Sequence, residues 1–479
     1  MDVIRDSKAD DASVQAVDGY AELRLDALTL DVLEHAADAA DLRLAKSRAS
    51  AAVEAGFRRG RQAFHDEVDR LTDQQQSELV RRFDRAGIEG LPTLLAAADE
   101  EADSKRAKLL AAIDEAATRA ELRDVLGPLV RDTHASIKTA GRVSRAAPWF
   151  LFYLPSRLKV EDIVKHEYAG TQEYALDHVV AYAVDEDSPA LDASAVKSLN
   201  VWKQLVAHAP VIRQESPPEP GYDPRHDRFG RVAAMGGDRF RVEVSEPTVY
   251  AYGRSYRFGG HAFTQLIYTW WFDRQVASRK NDPEAGNWDG ATLRITLDGD
   301  TPVAFETVDN CGCYHRLYPS AAIEAAAAAQ YGPPLKGKHH SVERSVDGKI
   351  DLMLPKAVEV KEGPVVVRAR SGWHGIIDVD ADGDPPADVI AGTRSYTLRP
   401  YRELEHLPLP GGGFTSMFYE NGLAKHGQRR EGIYFTPIGI LSAGQPRQRG
   451  TQLIQWDQYD FDDPHLLTRY LRWPTAEVE

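Results

Sequence analysis

From about Leu23 to Arg85, small and apolar residues return every three or four positions. Leu33, Ala37, Ala40, Leu44, Ser47 and Ala51 start the series, and Phe57, Phe64, Val68 and Leu71 continue it. That spacing gathers them on one face of a helix. Gly87, Gly90 and Pro92 break the pattern, and a second helical stretch is predicted from Thr93 to Leu126, stopping at Gly127 and Pro128. Together they read as an antiparallel helical hairpin or bundle with close packing along an alanine-rich seam. Gly56 and Gly60 have the Gly-x-x-x-Gly spacing, but the arginines around them argue against a membrane dimer motif.

Residues 129 to 212 are mixed, with helical patterns around Val160 to Val180 and Ala193 to His208. The proline-rich stretch Glu215 to Pro224 is the best linker candidate. Beyond it the period changes to two. Phe240, Val242 and Val244 alternate with charged residues, and Leu266 to Phe272 is a near-continuous apolar run suited to a central strand. Leu293, Ile295 and Leu297 lead into Asp298-Gly-Asp-Thr301 and then Val303 to Val308, the pattern of a β-hairpin. Further strands are predicted at Val365 to Ala369, Gly375 to Val379 and Ile433 to Phe435. A helix is expected from Ser320, a capping residue, to Gln330, with Gly332 just past its end, and a short final helix opens at Asp463-Pro464.

The pattern gives an α+β chain: a helical domain over 1–147, a mixed helical connector over 148–214, and a mainly antiparallel β-rich domain over 225–479, sandwich or barrel-like. The 479 residues suffice for two or three domains. The net charge of −15 repels phosphate backbones, and the arginines at positions 58, 59, 61, 81 and 82 are interleaved with acids, so nucleic-acid binding is not expected. Residues 1 to 20 lack the apolar stretch of a signal peptide, and Ala146 to Leu154, broken by Pro148, is too short to span a membrane. The only cysteines, Cys311 and Cys313, are too close for an unstrained disulfide, which fits a reducing, cytoplasmic setting.

Candidate chemistry concentrates in Cys311-Gly-Cys313-Tyr-His315. If this run stays extended, the two-residue period puts both cysteines and the histidine on one face, as ligands for zinc, copper or iron. His261 or His374 would complete the site, with His339 and His340 as further candidates. Asp378, Asp380, Asp382 and Asp384 alternate before and after Gly383, like the first half of a calcium loop, although Val389 stands where that loop needs Glu. A solvated acidic turn is the plainer reading of the same residues. There is no Gly-x-Ser-x-Gly, no His-Glu-x-x-His and no dinucleotide fingerprint, so no nucleotide cofactor is indicated.

Pro247 to Tyr250, Gly259-Gly260, Gln265 to Phe272, the Cys-Gly-Cys-Tyr-His run and Phe461-Asp-Asp-Pro-His-Leu-Leu467 resemble a family of uncharacterised bacterial proteins. The resemblance covers roughly residues 200–475. It implies no activity, only that the aromatic strand and the Cys/His segment belong to one unit. The leading expectation is therefore a metal-binding protein, whose enzymatic version is a metal-dependent enzyme of unspecified reaction. The competing expectation is a non-catalytic assembly protein. It would oligomerise through the N-terminal helices as a coiled coil and hold a small molecule or protein against Tyr250, Tyr252, Trp270 and Trp271.

Overall fold

The computed structural model describes residues 2–9, 14–17, 19–83, 87–139, 179–185, 199–216, 223–258, 261–277, 282, 284–312, 314–344, 354–381, 393–420, 422–427, 429 and 461–474. A short helix α1 (Asp2–Asp6) precedes a hairpin of β1 (Gln15–Val17) and β2 (Tyr20–Leu25). Five helices follow: α2 (Ala27–His35), α3 (Leu42–Asp69), α4 (Asp73–Arg82), α5 (Leu91–Glu115) and α6 (Arg119–Thr139). The starts of α2, α3 and α4 are set by side chains, since Asp26, Asp41 and Thr72 accept the backbone N–H of Thr29, Leu44 and Gln75.

The small residues of α3 have a specific use. Ala45, Ala49, Ala52, Val53, Gly56, Phe57, Gly60 and Ala63 form the buried face of α3. A Cβ on Gly60 would lie 1.9 Å from the Glu22 carbonyl oxygen, and one on Gly56 would lie 2.4 Å from Leu23 Cδ1. Strand β2 therefore lies directly on this helix. The covered face is out of step with the expected stripe: Ala40, Leu44, Ser47 and Ala51 are exposed, and the residues beside them carry the packing against the chain's own hairpin. The predicted stop at Gly127-Pro128 also fails: α6 runs through Pro128 to Thr139. Proline removes one intrahelical hydrogen bond, but Leu122, Leu126 and Leu129 on either side are buried in the helical core and hold the helix across it.

The β-rich part is one ten-stranded, mostly antiparallel sheet that nearly closes into a barrel. Its strands in chain order are β3 (Val179–Val184), β4 (Val211–Glu215), β7 (Thr248–Phe258), β8 (His261–Gln275), β9 (Gly286–Asp298), β10 (Thr301–Asp309), β11 (Arg316–Pro319), β12 (Val366–Ala369), β13 (Ile376–Asp380) and β14 (Arg394–Pro400). Strands β5 (Arg231–Gly236) and β6 (Arg239–Glu243) make a separate hairpin. Helix α7 (Leu199–Ala207) separates β3 from β4, α8 (Ala321–Tyr331) follows β11, and α9 (Leu466–Tyr470) lies near the C-terminus.

Strand order is β11-β10-β9-β8-β7-β14-β3-β4-β12-β13. Between the two terminal strands, Val358 bridges to Ser320 and Val360 to Ala381, and Arg316 donates to the Ile376 carbonyl at 2.5 Å. The proline-rich stretch is thus not the boundary of the β domain. Strands β3 and β4 precede it and sit between β14 and β12, so the sheet starts inside the segment expected to be a helical connector. The cause is long-range pairing, in which two short strands gain partners far along the chain.

Alternate residues of these strands fill the barrel interior. Tyr182, Ile212, Leu266, Tyr268, Trp270, Phe272, Leu293, Ile295, Phe305, Tyr318 and Tyr396 form one core with Phe229 inserted among them. Each large side chain removed from water contributes about 1.5–3 kcal/mol. The opposite face is covered by the C-terminal segment, through Phe461, Leu466, Leu467, Leu471 and Trp473. The helical part meets the barrel mainly through charge: Arg402 Nε donates to Asp66 Oδ2 at 2.9 Å and Arg70 Nε to the Glu405 carbonyl at 2.9 Å.

Candidate functional site

One end of the barrel is polar. There β8, β10 and β12 finish and β9, β11 and β13 begin, which places Gln275, Asp289, Asp309, Arg316 and the turn from Arg370 to Gly375 at one level. The register puts Asp289 opposite Phe272, and Ala291, Leu293 and Ile295 continue the inward-facing set of β9. Asp289 therefore points into the barrel by simple alternation.

His374 lies at the centre of this end. It is fully buried, and its ring stacks on Phe272 with centroids 3.7 Å apart and planes 8° from parallel. Its Nδ1 donates to Asp289 Oδ2 at 2.7 Å, and its Nε2 lies 3.4 Å from Asp227 Oδ1. The backbone supports this placement at a cost: His374 has φ 55°, in the left-handed region that side chains avoid, worth about 1–3 kcal/mol. Asp227 anchors the same turn, accepting Gly372 N–H at 2.9 Å and the Ser371 hydroxyl at 3.0 Å. Asp289 is shared, since Arg429 Nη2 donates to its Oδ1 at 3.1 Å and to the Trp288 carbonyl at 2.6 Å.

These surroundings set the protonation. Burial alone would discharge the imidazole, but the hydrogen bonds and negative charges of Asp227 and Asp289 outweigh it and raise His374 above its ordinary value. Asp309 is pushed well above the usual carboxylate range by burial and by the nearby Cys311 and Asp289, against the opposing charges of Arg316 and Arg429. At this end both shifts thus favour the protonated form, of the imidazole and of the carboxyl.

A second buried histidine occupies the other face of the sheet. Glu306 follows the inward Phe305 and so points outward, where Arg294 grips it with Nε at 2.7 Å and Nη2 at 2.5 Å. His315 Nε2 donates to the same carboxylate at 3.0 Å. Arg294 also donates to the Phe461 carbonyl at 2.6 Å and stacks 3.7 Å over that ring. Burial opposes the charge on Glu306, yet Arg294 and His315 hold its carboxyl down at about 2. His315 itself is lowered, because burial exceeds the pull of a carboxylate that Arg294 already neutralises.

The Cys/His run does not stay extended. Strand β10 ends at Asp309, the chain turns through Asn310 to Gly312 with Gly312 at φ 89°, Tyr314 is at φ 56°, and β11 begins at Arg316. The two-residue period is lost in that turn, so it no longer carries Cys311 and His315 onto a shared face. Cys311 is a buried free thiol near Asp309, His315 faces Glu306 on the outer side, and Cys313 lies outside the described residues. His374 belongs to the interior, and His261 is exposed at the opposite end of β8 from Phe272, on the order of 35 Å along the strand. The described residues therefore do not bring His261, His315 and His374 together. Among them no group of three or more His, Cys, Asp or Glu side chains is arranged to hold a metal ion.

Asp378 and Asp380 lie on β13 rather than in a loop, and cations already engage both. Lys356 Nζ contacts them at 2.7 and 2.6 Å, and Arg368 contacts each at 2.8 Å. That four-member network leaves these two carboxylates committed, which corrects the calcium-loop expectation for them; Asp382 and Asp384 lie outside the described residues. His340 Nε2 lies 3.2 Å from the Leu354 carbonyl, and the backbone N–H groups of His339 and His340 donate to Glu343. Tyr250, Trp270 and Trp271 are core residues with at most 1% exposure, so they offer no binding surface.

Sequence reasoning missed Asp227, Asp289, Asp309, Arg429 and the Arg294–Glu306 pair. Inside an alternating strand such as Leu293-Arg-Ile-Thr-Leu297 a charged residue reads as solvent-facing; only the covering C-terminal layer makes it buried. Compared with known proteins, the chain matches no protein-family model, no curated protein and no solved structure.

Proposed function

We propose that the polar end of the barrel is an acid–base centre acting on a small polar molecule, with His374 as the proton-carrying group. The observation that supports this reading most is the mounting of His374. A fully buried ring is stacked on Phe272, clamped at Nδ1 by Asp289, and aimed with Nε2 at Asp227 from a distance longer than a good hydrogen bond. The backbone strain at this residue fits a functional role, because strained left-handed positions persist where a site needs them. In this reading Asp289 fixes the tautomer and orientation, Asp227 holds the turn, and Asp309 is a second proton donor. Barrel ends are common places for such sites.

The test is a thermal-shift panel of small carboxylic acids, amides, sugars and nucleosides on the wild-type chain and on His374→Gln. At least one class is expected to raise the wild-type Tm in a concentration-dependent way and to leave a folded variant unmoved. A panel in which no compound separates the two proteins defeats the reading. Asp289→Asn takes the place of His374→Gln should the latter not fold.

A further inference from the structure

The segment Phe461–His465 touches three parts of the molecule within five residues. Phe461 gives its carbonyl to Arg294 at 2.6 Å and sets its ring edge-on to His315 with centroids 5.6 Å apart. Asp462 pairs with Arg254 at 2.5 Å, and the Pro464 carbonyl accepts the Tyr256 hydroxyl at 3.1 Å. Asp463 caps the segment by accepting His465 N–H at 2.7 Å. His465 then reaches the helical part, its Nε2 3.0 Å from Asp31 Oδ1. The same oxygen lies 3.1 Å from His35 Nδ1, and the two imidazole rings meet edge to face at 5.9 Å.

We propose that Phe461–His465 is a strap over the buried Arg294–Glu306–His315 centre, latched to α2 by a proton-sensitive contact between His465 and Asp31. The contact is at the surface, with His465 48% and His35 51% exposed, whereas the centre beneath the strap is at most 2% exposed. The latch is thus the solvent-reachable point of a chain of contacts that ends at a buried charge. From α2 and the turn after it, Asp31, Glu34, His35 and Asp38 face the latch; from the strap itself, Asp463 does. From α6, Arg123 pairs with Asp38 at 2.8 Å, and Asp31 is the carboxylate that the two imidazoles share. Partial burial opposes a charge on His35, but the Asp31 carbonyl and the carboxylates of Asp31, Glu34 and Asp38 raise it. Protonation therefore tightens the latch, and deprotonation loosens it.

Hydrogen exchange of the peptides covering 461–473 in the full chain, corrected for the intrinsic pH dependence of exchange, measures strap opening. Exposed ion pairs are worth little, so opening is expected to be about two- to fivefold more frequent at pH 8 than at pH 6. Asp31→Asn and His465→Gln should each remove that pH dependence and leave opening at the pH 8 level. Peptides in β4 and β12, away from the strap, should not change. A pH dependence that persists unchanged in His465→Gln, or a strap that opens equally at both pH values in the wild type, overturns the proposal.

Discussion

The two faces of the barrel sheet each bury a histidine beside a carboxylate, and they treat it in opposite ways. Inside, His374 lies between Asp289 and Asp227 and is shifted toward the charged form. Outside, His315 shares Glu306 with Arg294 and is held neutral. Burial is equal, so it does not decide the state. The count of neighbouring charges does: two carboxylates with one competing arginine favour the imidazolium, and one carboxylate already satisfied by an arginine does not. A buried histidine beside an acid is therefore not by itself a proton donor, and only the inner one carries the proposed chemistry.

The largest effect is expected on the outer face. Arg294→Met leaves Glu306 buried without its main cation, and breaking a buried pair in this way costs about 3–5 kcal/mol, read as a drop in urea-unfolding free energy at pH 7. The same change should push His315 toward the charged state and make the two centres alike. On the inner face, Asp289→Asn removes one of the two carboxylates and is expected to cost about 1.5–3 kcal/mol. The His374 Hε1 resonance should then titrate at lower pH than in the wild type; an unshifted titration would show that Asp289 does not set the charge.

The pH dependence of stability separates the two histidines next. His374 is raised in the folded chain, so its contribution is complete below the unfolded value of about 6.5 and is lost as pH rises through the folded one. His315 is lowered, so the unfolded chain takes up that proton first and stability falls as pH drops below about 6.5. His374→Gln should therefore flatten the loss on the alkaline side, and His315→Gln the loss on the acid side, as measured by unfolding between pH 5 and 8. Each unit of separation between folded and unfolded values corresponds to about 1.4 kcal/mol. The smallest effect belongs to Asp309→Asn. A carboxyl whose surroundings disfavour its charge is replaced by an amide of the same shape, so stability at pH 7 should stay level or rise. A large loss would mean that Asp309 is ionised in the folded state.

Much of the fold was legible because it is local. The turn at Asp298–Thr301 joins β9 to β10 as the alternation predicted, Ser320 caps α8, and Gly332 ends it at φ 77°. What escaped is non-local or depends on a single backbone angle. No spacing announces that β3 pairs with β14, or that Asp227 and Asp289 converge on His374 from different segments. The alternation that aligned Cys311 with His315 on paper is lost at Gly312 and Tyr314, whose left-handed angles no periodicity contains. His374 was singled out among the candidates, but the partners that define its chemistry were not.

The insertion of β3 between β4 and β14 also sets a schedule for synthesis. Tyr182 pairs with Arg394, about 200 residues later in the chain. At roughly 5–20 residues per second, β3 and β4 leave the ribosome about 10–40 s before the strands that flank them. For that interval two strand edges stand without their neighbours, a state open to pairing with other chains. Chaperone dependence during translation, rather than weakness of the finished barrel, is where this topology makes the protein vulnerable.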